Sequence, residues 1–384
     1  MGPINTASPS LSALAGLIVI VTGGSLSSLF FHGGSSDTLA GRWIDRTPPS
    51  AQSVRPRGAE DCATIYDPVR DRLIVYGGKD DADQNTSETW AFDPAEKVWA
   101  QLKTSGPRPP ASEDHTAIYD PLSDRLILYG GENGPTTNKL WALDLKALSW
   151  RDLTNPEAPR RESHSAVYDS RGKRMVVFGG FDRTTVDLHE IWAMDLDPDS
   201  PTFEKWHNLT VAEGRAPGRM DHSAVYDVTR NRMVFHGGWS KARKAFFGDT
   251  WAFYFADTAG GKGRWAKLDT ATSAPAARRH GVAVYDADRN QYVMFGGQGS
   301  NLGYLNDTWV FDLTRDVWSE VASHEAGPSP RIDHQAVYDT RTHSVLVYGG
   351  DGGTPHKKLH DIWELRFQSP SDSGFPHTNV IVGR

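Results

Sequence analysis

Residues 222–238 read HSAVYDVTRNRMVFHGG, two short apolar runs joined by a polar turn and closed by paired glycines. Runs of this length, rich in Val, Tyr and Phe and bounded by turn residues, read as β-strands. The phrase recurs through the chain. Its closing glycine pairs end at Gly78, Gly131, Gly180, Gly238, Gly297 and Gly350, at intervals of 53, 49, 58, 59 and 53 residues. The first run of each unit ends at Asp67, Asp120, Asp169, Asp227, Asp286 or Asp339. After each glycine pair comes a Trp-led run, at Trp90, Trp141, Trp192, Trp251, Trp309 and Trp363. A fourth run carries a second tryptophan, at Trp99, Trp150, Trp206, Trp265 and Trp318.

Four strands per unit at a period near 50 residues is the pattern of a β-propeller blade. No segment inside the repeats keeps a 3.6-residue apolar period with caps, so no helix is expected there. The sixth unit lacks its fourth run, and Arg42-Trp43-Ile44-Asp45, ahead of unit one, has the matching pattern. An N-terminal strand that completes the last blade closes the ring and removes a sheet edge. The expected fold is therefore all-β, a six-bladed propeller of four-stranded antiparallel blades closed by an N-terminal outer strand. A seventh unit built on LIVIVTGG, ending at Gly24, has no Trp-led run behind it.

The blades are expected at 58–106, 107–157, 158–213, 214–273, 274–326 and 327–367, with the closing strand at 42–47, making 42–367 one domain. Residues 1–41 form a leader whose apolar run Leu11–Val21 reads as an export signal or a single membrane anchor, with a disordered extension as the alternative. The leader implies a secreted or membrane-anchored protein, and a cytoplasmic one if it is not a signal. Residues 368–384, rich in Ser, Pro and Gly, read as a disordered tail.

Composition bounds the function. A chain of 384 residues with 38% hydrophobic and 23% charged residues is neither disordered nor mainly transmembrane. The net charge of −7 argues against a nucleic-acid partner. The single cysteine, Cys62, rules out an intrachain disulfide and thiolate-rich metal sites. No Gly-Lys-Ser or Gly-Lys-Thr phosphate loop, nucleophile elbow or zinc-protease spacing is present, and no cofactor or metal is expected. The run Asp81–Asn85 begins like a calcium loop but has Thr86 where glycine is needed.

The Gly-Gly doublets, Tyr-Asp pairs and two tryptophan columns resemble the kelch-repeat superfamily over Arg42 to about Phe367. The resemblance implies a ligand pocket at the top of the propeller, faced by arginines near the start of the innermost strands and by residues just after Gly-Gly. The first set is Arg161, Arg219, Arg278 and Arg331; Arg219 with Asp221, and Arg331 with Asp333, are also spaced to pair locally. The second set includes Lys79, Phe181, Trp239, Gln298 and Asp351, which differ from blade to blade and so are free of scaffold duty. Trp239 is the one tryptophan of thirteen outside the two columns, and its loop also carries Lys241, Arg243, Lys244, Phe246 and Phe247. The expected function is recognition of an acidic peptide, glycan or partner protein at this pocket. The alternative is a small-molecule enzyme resembling kelch sialic-acid epimerases, with Asp221, His280 and Asp333 moving a proton on a sugar. His115, His164, His222 and His334 share one column and read as hydrogen-bonding core residues.

Overall fold

The computed structural model describes residues 39–367, apart from 50–53, 185–186, 257–261, 271–273, 324–325 and 354–356. The leader's apolar run and the C-terminal tail lie outside the described residues, so the expectations attached to them remain expectations. Six antiparallel blade sheets follow one another along the chain, and none of the described residues is helical. Blade 4 shows the plan: Ser223–Asp227, Arg232–His236, Thr250–Tyr254 and Arg264–Lys267 pair in chain order. In blade 6 the fourth place is taken by Gly41–Asp45, which runs antiparallel to Ile362–Phe367 with Trp43 opposite Leu365.

Three blades add to the plan, and in blade 2 the strands Glu113–Asp120 and Arg125–Glu132 run on past the glycine pair. Blade 4 carries a two-residue hairpin, Trp239–Ser240 with Ala245–Phe246, directly after its glycine pair. In blade 5, Gln291–Gly299 and Tyr304–Asp312 extend past the doublet, and Arg278–Arg279 pairs with the extension.

Two sixfold devices join the blades. The residue before each glycine pair packs on the second-column tryptophan of the following blade: Tyr76 on Trp150, Tyr129 on Trp206, Phe178 on Trp265, His236 on Trp318, Phe295 on Trp43 and Tyr348 on Trp99, with ring centroids 4.7–5.2 Å apart. Trp43 thus does for the last blade what the five other tryptophans do for theirs. Such aromatic contacts add about 0.5–1.5 kcal/mol each beyond the area they bury.

The second device is the doublet itself. The N–H of the second glycine donates to a carbonyl of the next blade in all six cases, from Gly78 to Ser112 through Gly350 to Ala59. Gly130 shows why no side chain is admitted: its φ is +74°, and a Cβ there would lie 2.5 Å from the Arg161 carbonyl oxygen.

Candidate functional site

The innermost strands converge on a central channel of about 230 Å³. Its mouth is ringed by Asp61, Asp114, Ser163, Asp221, His280 and Asp333, one from each blade. All six have positive φ, between 51° and 56°. Asp and His tolerate this left-handed region better than most side chains, yet the conformation carries strain. It is held by bonds around the ring: the N–H groups of Ser163, Asp221, His280 and Asp61 donate to the carbonyls of Asp114, Ser163, Asp221 and Asp333. Deeper in the channel, Thr64, Ala117, Ala166, Ala224, Ala283 and Ala336 keep the bore open with small side chains.

A second ring, which sequence reasoning missed, surrounds the first. Glu60, Glu113, Glu162, Met220, Arg279 and Ile332 pair across the sheet with the post-doublet residues Lys79, Glu132, Phe181, Trp239, Gln298 and Asp351. The available signal was positional, since each immediately precedes the channel ring. Over these three columns nine of eighteen residues are Asp or Glu, and two are Lys or Arg. The mouth is therefore rich in carboxyl groups, of which Glu60, Glu132 and Asp333 are paired with Lys358, Arg183 and His280.

The four arginines expected to face a ligand do not. Arg161, Arg219 and Arg331 are fully buried and Arg278 is 2% exposed. Each donates to the carbonyl of its own blade's first glycine, at 2.8–3.1 Å. Arg219, Arg278 and Arg331 also pair with Asp249, Asp307 and Asp361 at 2.6–2.7 Å, so neither Arg219 nor Arg331 pairs with its neighbour in the channel ring. The partner aspartates accept the indole N–H of Trp251, Trp309 and Trp363 as well. These arginines are scaffold: Arg219, Arg278 and Arg331 are buried against a carboxylate, and Arg161 is buried with the glycine carbonyl as its partner.

The post-doublet residues divide. Asp351 is 1% exposed and holds its own loop, accepting from the Gly353 N–H, and Gln298 is buried with its amide bonded to Arg279 and to the Leu302 carbonyl. Neither side chain is offered to a ligand. Lys79 pairs with Glu113 of the next blade. Trp239 and Phe181 remain half-buried, with the Arg279 guanidinium 5.4 Å from the Trp239 ring and Lys241 Nζ 4.3 Å from the Phe181 ring.

Asp221, His280 and Asp333 do come together. His280 Nδ1 contacts Asp333 Oδ1, and His280 Nε2 lies 3.3 Å from Asp221 Oδ2. Burial alone would lower the imidazole, but the two carboxylates outweigh it and raise its pKa to about 9. Burial works against the Asp333 anion, yet His280 holds its carboxyl below the usual range. For Asp114 the pull of His280 is smaller; burial and the charges of Asp221 and Asp333 push it up to about 8. Burial, with Asp333 and Asp114, also drives Asp61 well above the usual carboxylate range.

Other titratable groups are committed to the scaffold. His164 and His222 reach Thr116 and Ser165 of the preceding blade at 2.8 and 2.7 Å, and His115 Nε2 reaches the Tyr76 carbonyl. Burial lowers His115 to about 4 and His334 to about 3, which keeps both neutral. Cys62 is buried, and burial pushes its thiol up to about 12. Asp81 and Asp83, from the calcium-like run, meet His360 and Lys358 at 3.0 and 2.9 Å. Among the described residues the carboxylates close enough to share an ion are Glu60, Asp61 and Asp333, and Lys358 and His280 already neutralise two of them.

Comparison with known proteins places this geometry. The chain is 25% identical over 324 residues to an F-box/kelch-repeat protein of Arabidopsis thaliana, covering 80% of this chain and 54% of that protein. It is 27% identical over 321 residues to the dynein alpha chain of the flagellar outer arm of Chlamydomonas reinhardtii, covering 79% of this chain and 7% of that one. Similarity to acyl-CoA-binding domain-containing protein 4 of Arabidopsis thaliana is 25% over 300 residues, 74% of this chain and 35% of that protein. The chain thus spans about half the length of the first relative and less of the others. Among solved structures, YjhT matches with a TM-score of 0.59 at 15% identity, over 83% of this chain and all of that one, a likeness of fold alone. The family described as KLHDC2/KLHL20/DRC7 Kelch-repeats domain matches residues 13–197, 121–259 and 253–378, and the chain therefore belongs to the kelch-repeat family.

Proposed function

We propose that this kelch propeller is a recognition module whose channel mouth engages a protein partner through a cationic group. The observation that carries the reading is Asp61 and Asp114 at the channel mouth, two carboxyl groups crowded by burial and by neighbouring carboxylates. Burial and the charges of neighbouring carboxylates, Asp333 among them in both cases, disfavour the Asp61 and Asp114 anions, and an incoming ammonium or guanidinium relieves both. The acidic ligand expected from the arginines loses its basis, since those guanidinium groups are buried. Acidic chemistry keeps a smaller place: Lys241, Arg243 and Lys244 on the Trp239 hairpin would meet an acidic flank of the same partner.

Affinity selection of a random peptide library on the full chain tests this. Selected peptides should be rich in Lys or Arg, bind more weakly as salt rises, and lose binding to the Asp61→Asn/Asp114→Asn variant. Enrichment of Asp and Glu, with binding lost in Lys241→Ala/Arg243→Ala instead, would return the acidic reading.

A second reading is favoured by one observation, the convergence of Asp221, His280 and Asp333. As an enzyme the protein would use this cluster to move a proton on a small sugar-like substrate. Turnover or deuterium exchange with candidate acidic sugars, abolished in Asp221→Asn, supports it; exchange unaffected by that substitution ends it.

A further inference from the structure

Blade 2 breaks the arginine pattern in a way the recognition surface does not use. In blades 4 to 6 the buried arginine fills the space beneath the glycine doublet and meets an aspartate two residues before the first-column tryptophan. That aspartate takes the tryptophan Nε1–H at 2.7 Å. In blade 2, Ser112 stands in the arginine's place and Lys139 in the aspartate's. Blade 1 also lacks the arginine, having Ala59, but Glu88 accepts from Trp90 at 3.0 Å and Arg57 pairs with Glu88 at 2.9 Å. Blade 2 has no such replacement.

Two consequences follow from the double change. A cavity of about 220 Å³ opens where the guanidinium would lie, with Pro109, Pro110, Leu128, Gly130, Lys139 and Trp141 in its wall. Trp141 is 7% exposed, and its Nε1 is buried with no hydrogen-bond partner. A buried indole N–H without an acceptor is costly, and here it belongs to a side chain lining an open cavity. The polarity of the socket is also inverted. Where blades 4 to 6 present a carboxylate, blade 2 presents the indole donor and the cationic Lys139.

We propose that this blade 2 cavity binds a small carboxylic acid with an apolar body. The carboxylate faces Lys139 and accepts from Trp141 Nε1 once the exposed Lys139 side chain moves aside to uncover that N–H, while the apolar part lies against Pro109, Pro110 and Leu128. The volume sets the size: ligand pockets of drug-sized molecules run about 300–1,000 Å³, so this one takes a single ring or a branched chain. Lys139 selects an anion over a neutral acceptor, because hydrogen bonds to charged acceptors are roughly twice as strong.

The test is a titration of the full chain with phenylacetate, read on the ¹⁵N-labelled indole N–H resonances. The Trp141 signal is identified by its loss in Trp141→Phe. A saturable shift of that one resonance is expected, with phenylacetamide binding at least about tenfold more weakly, the worth of one charge-assisted contact. The S112R/K139D variant rebuilds the arginine and aspartate of blades 4 to 6; it should abolish binding and raise the Tm by filling the cavity. If that variant does not fold, Lys139→Ala serves instead and should erase the preference for the acid over the amide. A tripeptide ending in phenylalanine carries the same carboxylate on a chain and should bind more weakly than phenylacetate; tighter binding would overturn the assignment to a free small acid. The proposal fails if the Trp141 resonance does not move selectively, if acid and amide bind alike, or if S112R/K139D folds and still binds.

Discussion

Arg331 and Arg161 occupy the same repeat position, are equally buried, and differ in what meets them. Arg331 has Asp361 at 2.7 Å and the Gly349 carbonyl at 2.9 Å. Arg161 has the Gly179 carbonyl, while its Nε and Nη2 are buried without partners. Glu190 stands where Asp361 does in blade 6, and its Oε2 is also unpartnered. Burial accordingly lowers the Arg161 pKa. Arg331→Met should cost about 3–5 kcal/mol in urea denaturation, because it strands the aspartate, whereas Arg161→Met should be close to neutral or stabilising. The reverse order would sink this account. Both arginines were legible as a column in the sequence, but their direction was not. Pairing of Arg219 with Asp221 presumed strand alternation, and Asp221 has φ +56°, which breaks that alternation at the ring residue.

At the scale of the element, the closing strand Gly41–Asp45 carries more than its five residues suggest. It covers the edge of Ile362–Phe367 and places Trp43 against Phe295 of blade 5, at 5.0 Å between centroids. Trp43→Ala should lower stability by about 3–5 kcal/mol, as large aromatic truncations in cores do. Because it also loosens the strand that hides a sheet edge, the variant should form oligomers on size exclusion that Trp206→Ala, inside a continuous blade, does not. Equal oligomer content in the two variants would show that the closing strand holds without its tryptophan. The strands were readable because their signals are local, runs of β-branched and aromatic residues between turn residues. The Trp239–Ser240 hairpin and the lengthened strands of blade 5 were not readable, since they depend on which segment lies alongside rather than on their own composition.

Across the whole molecule, the channel mouth is a charge system assembled from every blade, and its pH response belongs to the assembled ring. The His280 pKa of about 9 lies above its usual value, so its contribution is fully present below about pH 6.5 and is lost as pH rises through 9. Asp114, near 8 in the folded protein, binds its proton more tightly folded than unfolded, so its contribution falls as pH climbs from about 4 to 8. Both act in one direction. The Tm should fall between pH 6.5 and 9, and the fall should be smaller in His280→Asn and in Asp114→Asn than in wild type. Parallel pH profiles for all three proteins would show that the ring residues do not titrate as a linked set.

The sequence by itself determined the fold, the blade count and the identity of the closing strand. Those rest on repetition, and six copies of one local pattern admit one closed arrangement. It also marked the channel residues Asp221, His280 and Asp333, because their column begins each innermost strand. Only the tertiary structure decided which charges face the channel and which are buried in the scaffold, since that depends on left-handed turns and on partners thirty residues away. It alone showed the empty socket of blade 2. The loss of an arginine and an aspartate becomes a cavity only when the residues 27 positions apart, Ser112 and Lys139, are seen to share one space.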